Sequence, residues 1–510
     1  MLQLLSSAEL RRVKLIELLL NNNNRISVKN AAKIIECSER IIDQDVIFFQ
    51  ENYAFISINR HKGIIILEIK PEQSPNEIYA TLLSQSVAFR LLEIIFYQPY
   101  MFTEDILEQL DISQATLYRH LSQLKNVLSE SFHIKLTTNP FQIKGGERSV
   151  RKFFSFFFRE RYLGLYWPVD KISGEEIDSM IIYLRDEAHL LPSSVNIQEV
   201  RSWVYVNYIR SQQGFYMEND NYNQIFLDRV RRFADSDAFQ KVYRRLPDEL
   251  LAIDEAIVIH QMLYPFITEK TIFSHDDGIN GVNPTFDKSL MLNVFELIRH
   301  LQTEFDVEIH QLSDFALNIY NARHIYQCIF EQSHIIYNAR QPFFDHFAEY
   351  FPDFNRRLEE LIVSKLFNNE DVSQCNMNNL KFIILSHWQD LTKQLMMNQP
   401  LKIGFISNQS FTFIQFHEKY FRNELPRYCD FEVWESYPLI AETINESDYD
   451  LIISNTMLPA NVKKANIYIE NIYSPKEMAK VLLAILETKK NQIRQKGAEA
   501  YASFTANQGK

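Results

Sequence analysis

The stretch Asp111–Glu147, DISQATLYRHLSQLKNVLSESFHIKLTTNPFQIKGGE, has the pattern of a turn, a helix and a β-hairpin. Ser113 is a favourable N-cap, because its hydroxyl can accept an unpaired N–H group of the first helical turn. Leucines at positions 117, 121, 124 and 128 then form one apolar stripe. Strand-like runs follow at His133–Leu136 and Phe141–Lys144. The order of recognition helix and then wing is that of a winged helix-turn-helix.

The opposite face of this helix carries polar and basic side chains, which are the types that reach phosphates and base edges of DNA. We predict DNA contacts from helix residues Ser113, Gln114, Thr116, Tyr118, Arg119, Ser122 and Lys125, and from Lys135, Lys144 and Arg148 in and beside the wing. The helix residues face the groove, and the cations of the wing lie near phosphates.

The same pattern occurs earlier in the chain. Helices are predicted at Ala8–Leu20, Ser27–Ile35 and Ser38–Gln50, and a hairpin at Phe55–Ile58 and Ile64–Ile69. The solvent face of the third helix is predicted to be acidic, with Glu39, Asp43 and Asp45, so we expect weaker base contact from this copy. Its candidates for DNA contact are Arg40, Gln44, Arg60 and Lys62.

A chain of 510 residues with 46% hydrophobic composition is long enough for several packed domains. It has no apolar run of membrane-spanning length and no signal-peptide pattern at its start. The four cysteines are scattered without metal or redox spacing, which favours buried thiols in a reducing compartment. We therefore expect a cytoplasmic protein without a membrane partner, metal or cofactor.

The net charge of −12 is unevenly distributed. The first 160 residues hold 19 Lys and Arg against 18 Asp and Glu, which leaves 34 against 47 for the rest of the chain. Residues 111–160 are the basic end, with eight basic residues against four acidic ones. A local basic surface is sufficient for phosphate binding, although a weak one implies affinity that falls quickly with salt.

The predicted architecture is mainly α and multidomain. Two winged helix-turn-helix domains occupy 1–70 and 71–165, two all-helical domains 166–280 and 281–398, an α/β domain 399–492, and a frayed polar tail 493–510. Glu77–Tyr97 is predicted as one helix of the second winged domain, and the aromatic residues of Arg151–Arg161 as core. Ser274–Pro284 is the predicted break between the helical domains. Strand-like runs that alternate with helices after Pro400 indicate a mostly parallel sheet.

In this order of domains the chain resembles the Mga/AtxA-like transcription regulators of Gram-positive bacteria. The resemblance implies two DNA-binding domains, two PTS regulation domains (PRDs) and a C-terminal domain similar to the EIIB component of the sugar phosphotransferase system. It implies homodimers or larger oligomers, promoter DNA and RNA polymerase as partners, and control of virulence or carbohydrate-responsive genes. It also implies phosphorylation on histidine by HPr and EII proteins.

Histidines at the ends of apolar helical runs are the phosphorylation candidates that this resemblance implies: His260 and His387 first, then His324 and His300. Arg210 and Gly214 fit the first PRD helix, but Trp203 stands where a histidine is expected. Ser407 follows the first α/β strand, where EIIB domains carry a phosphorylated cysteine, so we expect that this chemistry is lost.

The sequence therefore predicts a transcription regulator, most consistent with an activator, and not an enzyme. Two alternatives stay open. One is a phosphotransferase subunit, which needs a phosphorylated group in the α/β domain. The other is a phosphotransferase-system-related interaction scaffold with degenerate DNA-binding domains.

Overall fold

The computed structural model of the chain describes residues 1–70, 72–163, 173–186, 197–217, 224–246, 248–252, 254–266, 273–274, 284–325, 334–436, 438–470 and 474–508. It forms two compact units. The first comprises Met1–Lys288, Leu317–Ala339 and Val372–Leu380, and the second Ser289–Ala316, Arg340–Asp371 and Lys381–Lys510. Residues of the predicted helical domain 281–398 occur in both units. The six-part division of the chain stays a prediction.

The described helices of the N-terminal part are α1 Ser7–Asn21, α2 Val28–Ile35, α3 Glu39–Asn52, α4 Asn76–Gln85, α5 Val87–Tyr97, α6 Thr103–Leu110, α7 Gln114–Phe132, α8 Glu147–Tyr162, α9 Gly174–Asp186, α10 Ile197–Gln212, α11 Gln224–Ala234, α12 Asp237–Tyr243, α13 Asp248–Leu251 and α14 Glu255–Leu263. Those that follow are α15 Lys288–Phe305, α16 Leu312–Ile325, α17 Gln341–Tyr350, α18 Pro352–Leu361, α19 Gln374–His387, α20 Leu391–Met397, α21 Phe411–Glu424, α22 Ala441–Glu446 and α23 Pro475–Gln508. The strands are β1 Arg25–Ser27, β2 Ile56–His61, β3 Ile64–Ile69, β4 Lys135–Thr138, β5 Phe141–Lys144, β6 Leu401–Ile406, β7 Cys429–Val433, β8 Leu451–Ser454 and β9 Ala465–Tyr468.

The first winged domain consists of α1, α2 and α3 with a small antiparallel sheet. Serine side chains cap all three helices, at Ser6, Ser27 and Ser38. β2 and β3 pair across a two-residue turn, Lys62–Gly63, whose φ angles of +46° and +79° are those of a tight hairpin. The predicted hairpin is confirmed. β1, which pairs with β3, was not predicted, because its three residues are too short to show a period.

The second winged domain repeats this order with α5, α6, α7, β4 and β5. Met101, between α5 and α6, bridges to Phe141 of β5 in the place that β1 holds in the first domain. The wing turn is Asn139–Pro140, so Thr137 and Thr138 extend β4 beyond its predicted end.

The prediction of one helix over Glu77–Tyr97 is wrong. α4 ends at Gln85 and α5 begins at Val87, and the two axes meet at 76° around Ser86. The sequence is apolar on both sides of Ser86, so its periodicity does not reveal the bend. Because the chain bends there, α4 and α5 each bury their own apolar face. No single described helix is long and apolar enough to cross a membrane, although α4 and α5 together pass that test of length and composition.

The aromatic residues of α8 form the core that joins the second winged domain to the helices after it. Phe153, Phe154, Phe157 and Phe158 are buried, which confirms the prediction for Arg151–Arg161. α8 packs on α4 and on α10, and α10 packs on α14. The predicted break at Ser274–Pro284 falls mostly outside the described residues, which omit 275–283.

The C-terminal part of the second unit contains a four-stranded sheet with the order β7-β6-β8-β9. All three strand pairs are parallel, which confirms the predicted α/β arrangement. α23 runs to Gln508, and the frayed character of the polar tail stays a prediction. The residues after Lys490 contain no proline and include four Ala and three Gln, which favour helix.

Candidate nucleic-acid interface

α7 presents the predicted contact face to solvent. Its start is fixed by Ser113, whose hydroxyl accepts the backbone N–H of Thr116 at 3.3 Å. The leucine stripe is buried, at Leu117, Leu121, Leu124 and Leu128. Opposite it, Thr116 is half-buried and the other predicted side chains are exposed: Ser113, Gln114, Tyr118, Arg119, Ser122 and Lys125. Among the described residues no acidic side chain forms an ion pair with Arg119 or Lys125.

The wing places two lysines directly opposite each other. Lys135 of β4 is the register partner of Lys144 of β5, and both side chains are exposed. Directly opposed side chains lie on the same face of an antiparallel pair, where like charges are destabilising by roughly 0.2–1 kcal/mol. No described acidic residue pairs with either lysine. This arrangement is one that a bound anion would stabilise.

Arg148, the third cation predicted near phosphates, is exposed directly after the wing, with its guanidinium 5.3 Å from the centre of the Tyr264 ring. Its neighbour Glu147 accepts hydrogen bonds from Arg151 and Arg210, so the base of the wing is fixed to the helical core.

In the first winged domain the prediction of an acidic solvent face on α3 is wrong in part. Asp45 is only 1% exposed and accepts from Arg11 Nε at 2.5 Å and Arg12 Nε at 3.1 Å. Asp43 forms two hydrogen bonds with Arg60, at 2.6 and 2.7 Å. Asp45 was predicted on the solvent face, because the sequence pattern of α3 does not reveal the basic partners that come from α1.

The remaining candidates of the first winged domain, Arg40, Gln44 and Lys62, are exposed, as is Arg60 at the end of its ion pair. One exposed side chain on this face was missed. Ile47 is apolar and was therefore passed over, although it lies seven residues after Arg40, at helical spacing.

The predicted phosphorylation histidines differ in accessibility. His260 of α14 is 1% exposed and lies edge-on to Tyr264, whereas His387, at the end of α19, is half-buried. The Nδ1 atom of His387 lies 3.0 Å from the carbonyl oxygen of Ile383. His300 of α15 is exposed. His324 belongs to α16, and its side chain lies outside the described part of the structure.

The carboxyl edge of the parallel sheet carries a serine in place of a nucleophilic thiol. Ser407 follows β6, is 3% exposed, and accepts the backbone N–H of Gln409 at 3.2 Å. Cys429 lies at the start of β7, the other edge, where burial raises the pKa of its thiol to about 12. Such a thiol is protonated at neutral pH and is a poor nucleophile. No cluster of potential metal ligands occurs among the described residues.

The chain was compared with known proteins. Residues 6–62 match the M protein trans-acting positive regulator (MGA) HTH domain, and residues 71–158 match the Mga helix-turn-helix domain. A protein of Streptococcus pneumoniae serotype 4, named as a trans-acting regulator, is 25% identical over 485 residues, which are 92% of this chain and 96% of that protein. The capsule synthesis positive regulator AcpB of Bacillus anthracis is 21% identical over 338 residues, 63% of this chain and 68% of its own.

The matched segments coincide with the two winged domains, whose recognition helices α3 and α7 begin at equivalent serine caps. The names of both relatives describe regulators. The two helix-turn-helix matches and the two named relatives together make this chain similar to the Mga/AtxA-like transcription regulators.

Proposed function

We propose that this chain is a transcription activator whose second winged domain makes the main contact with promoter DNA. The observation that carries the proposal is the opposition of Lys135 and Lys144 beside the exposed face of α7. A phosphate between two opposed ammonium groups offsets their repulsion, and such contacts position a recognition helix over base edges. Gln114, Tyr118 and Arg119 supply the donors for base edges and Lys125 a further cation.

Activation, as opposed to repression, is supported by the name of the relative AcpB, a positive regulator of capsule synthesis. An activator that binds beside a promoter recruits RNA polymerase. A promoter fusion that gains activity when this protein is expressed supports activation, and one that loses activity identifies a repressor.

Self-association is the second part of the proposal. Large apolar side chains are exposed after the carboxyl ends of three strands of the second unit: Phe411 at 72%, Ile440 at 45% and Met457 at 90%. Tyr468, the last residue of β9, is 58% exposed. Covering these side chains with a second copy of the chain would remove apolar surface from water. A dimer would bring the second winged domains of both protomers to one DNA site. Two weak contacts held together in this way bind tightly, because the second contact forms at high effective concentration. Sedimentation velocity tests this, because a monomer at micromolar concentration contradicts it.

Regulation by histidine phosphorylation, with HPr and EII proteins as donors, is the third part. A phosphoryl group adds nearly two negative charges, so it can repel acidic neighbours or recruit an arginine, and thereby shift an association equilibrium. The absence of an activated thiol on the described α/β sheet favours a docking role for that domain over phosphotransfer.

The decisive experiment for DNA binding compares wild type with Arg119→Ala in gel-shift titrations of sheared chromosomal duplex DNA. Loss of one base-edge or phosphate contact weakens binding about tenfold. Arg356→Ala is the matched control, because it removes the same exposed charge from α18 of the second unit. Equal affinity of all three proteins contradicts the assignment of the recognition helix, and absence of binding by wild type favours the interaction scaffold.

A further inference from the structure

α3 of the first winged domain exposes one large apolar side chain on an otherwise polar face. Ile47 is 50% exposed, on the side of the helix opposite the buried Ile42, Val46 and Phe49. Arg40 and Gln44 lie on the same stripe, seven and three residues earlier, and both are exposed. Ile47 therefore lies among side chains suited to base edges.

The two recognition helices can be aligned by their caps. Ser38 accepts the N–H of Ile41 and Ser113 accepts that of Thr116, each three residues into its helix. In this register the buried residues coincide, since Ile42, Val46 and Phe49 fall on Leu117, Leu121 and Leu124. Ile47 then occupies the position of Ser122, and Gln44 that of Arg119. Both are positions on the face that α7 exposes.

Two of the four acids of α3 have basic partners, whereas Glu39 and Glu51 are exposed. Asp45 is buried between Arg11 and Arg12, and the Asp43 carboxylate is held by Arg60. The negative charges of Asp43 and Asp45, beside the stripe of Arg40, Gln44 and Ile47, are thus balanced by arginines of the same domain. The exposed Arg40 and Lys62 remain to face phosphates.

The chemistry of the major groove then limits what Ile47 can contact. Base edges there present hydrogen-bond donors and acceptors, and the apolar feature among them is the 5-methyl group of thymine. A glutamine pairs with the N6 and N7 atoms of adenine. We propose that Ile47 reads a thymine methyl group through van der Waals contact, with Gln44 on a neighbouring adenine, so that the first winged domain selects an A·T-containing step. This rests on the proposed DNA-binding function and adds a specificity residue to it.

The test starts from a library of random-sequence duplexes, from which wild type, Ile47→Ala and Ile34→Ala are each allowed to select bound DNA. Ile34, on α2, is 58% exposed and provides the matched control. We expect wild type and Ile34→Ala to select a site with a fixed thymine, and Ile47→Ala to select the same site without preference at that position. Circular dichroism of each variant verifies that the exposed substitution leaves the fold intact.

The second step uses the selected duplex with that thymine replaced by deoxyuridine, which removes only the methyl group. Wild type should bind the deoxyuridine duplex about fourfold more weakly, the effect of one buried methyl group, and Ile47→Ala should bind both duplexes equally. An unchanged selection by Ile47→Ala, or equal binding of the two duplexes by wild type, overturns the role of Ile47. A wild-type protein that selects no duplex overturns the proposed function instead, and this inference with it.

Discussion

Arg210 donates from Nε and Nη2 to the two carboxylate oxygens of Glu147, at 2.9 and 2.7 Å, and so fixes the helix that follows the second wing to α10. Arg151 donates to the same carboxylate at 3.0 Å and to the carbonyl oxygen of Gln261 at 2.8 Å. Arg151 is fully buried and Arg210 is 3% exposed. Burial lowers the pKa of Arg151 to about 10, and the charge of Glu147 opposes that shift. One carboxylate thus balances two buried guanidinium groups.

Glu147→Gln should therefore destabilise the first unit strongly. The substitution leaves two buried cations without a counter-charge, and breaking a buried pair in this way costs about 3–5 kcal/mol. Urea unfolding followed by circular dichroism measures the loss as a lower midpoint of the transition. Glu130→Gln, which removes an exposed acid of α7, is the control and should stay within about 0.5 kcal/mol of wild type. Equal midpoints for the two variants would show that the Glu147 cluster contributes no stability.

Removing one of the two opposed lysines of the wing should raise the stability of the free protein and lower its affinity for DNA. Lys135→Gln removes the repulsion with Lys144, so the free energy of unfolding should rise by roughly 0.2–1 kcal/mol. The same change removes a phosphate contact, so DNA affinity should fall and the salt dependence of binding should weaken by about one unit of slope. Gel-shift titrations over a series of salt concentrations, beside urea unfolding of the free protein, measure both effects.

Lys393→Gln is the control for that experiment, since Lys393 is an exposed lysine of α20 in the second unit. It should change neither the salt slope nor the stability. A Lys135→Gln protein that is less stable than wild type and binds DNA with an unchanged salt slope would mean that the two lysines are ordinary surface residues.

The sequence predicted the second winged domain well because its signals are local. The cap at Ser113, the leucine stripe and the short hairpin each depend on residues close together in the chain, and all appear in the structure. The exposure of Arg119 follows from the same periodicity. The parallel sheet of the α/β domain was predicted for the same reason, from short apolar runs that alternate with helices.

Two of the features that the sequence did not reveal involve partners distant in the chain, and a third is a bend. Asp45 has the spacing of a surface acid, and only the packing of α1 against α3 brings Arg11 and Arg12 to it. Ser86 bends an apolar run whose period is the same on both sides. Glu147 reads as an ordinary first-turn acid of α8, since its partner Arg210 lies on another helix. Periodicity reports which face is apolar, but it carries no information about which charged residues meet.

Accessibility gives a prediction about the histidines. Phosphorylation needs the imidazole to meet the phosphoryl donor, and His260 is 1% exposed whereas His387 is half-buried at a helix end. The contact of His387 Nδ1 with the Ile383 carbonyl favours a proton on Nδ1, which leaves Nε2 as the nucleophile. Incubation with phosphoenolpyruvate, enzyme I and HPr should label wild type and His260→Ala, and not His387→Ala.

Phosphate-affinity gels read out this experiment, with His310→Ala as the control for an exposed histidine that is not a phosphorylation candidate. Retained label in His387→Ala together with lost label in His260→Ala would reverse the assignment. It would also require α14 to open, because a ring buried as deeply as that of His260 is closed to a protein donor.

The lowered pKa of the His334 imidazole predicts that the folded protein loses stability in mild acid. Burial, followed by nearby positive charges that include Arg159, lowers the pKa of this imidazole from 6.5 to about 4. The folded protein thus resists a proton that the unfolded chain accepts, so the stabilisation is complete above pH 6.5 and is lost as the pH falls towards 4. A shift of this size corresponds to roughly 3 kcal/mol at the acid end.

The measurement is the thermal midpoint of wild type and His334→Gln from neutral pH to pH about 4, the range set by the shifted pKa. Glutamine cannot take up a proton, so the variant should gain stability relative to wild type as the pH falls. Buried Glu160, which accepts backbone N–H groups of Ile336 and Tyr337, has a raised pKa and acts in the opposite direction, but it is present in both proteins and cancels in the difference. His300→Gln, an exposed control, should follow the wild-type curve. Parallel curves for wild type and His334→Gln would show that His334 carries no proton linkage to folding.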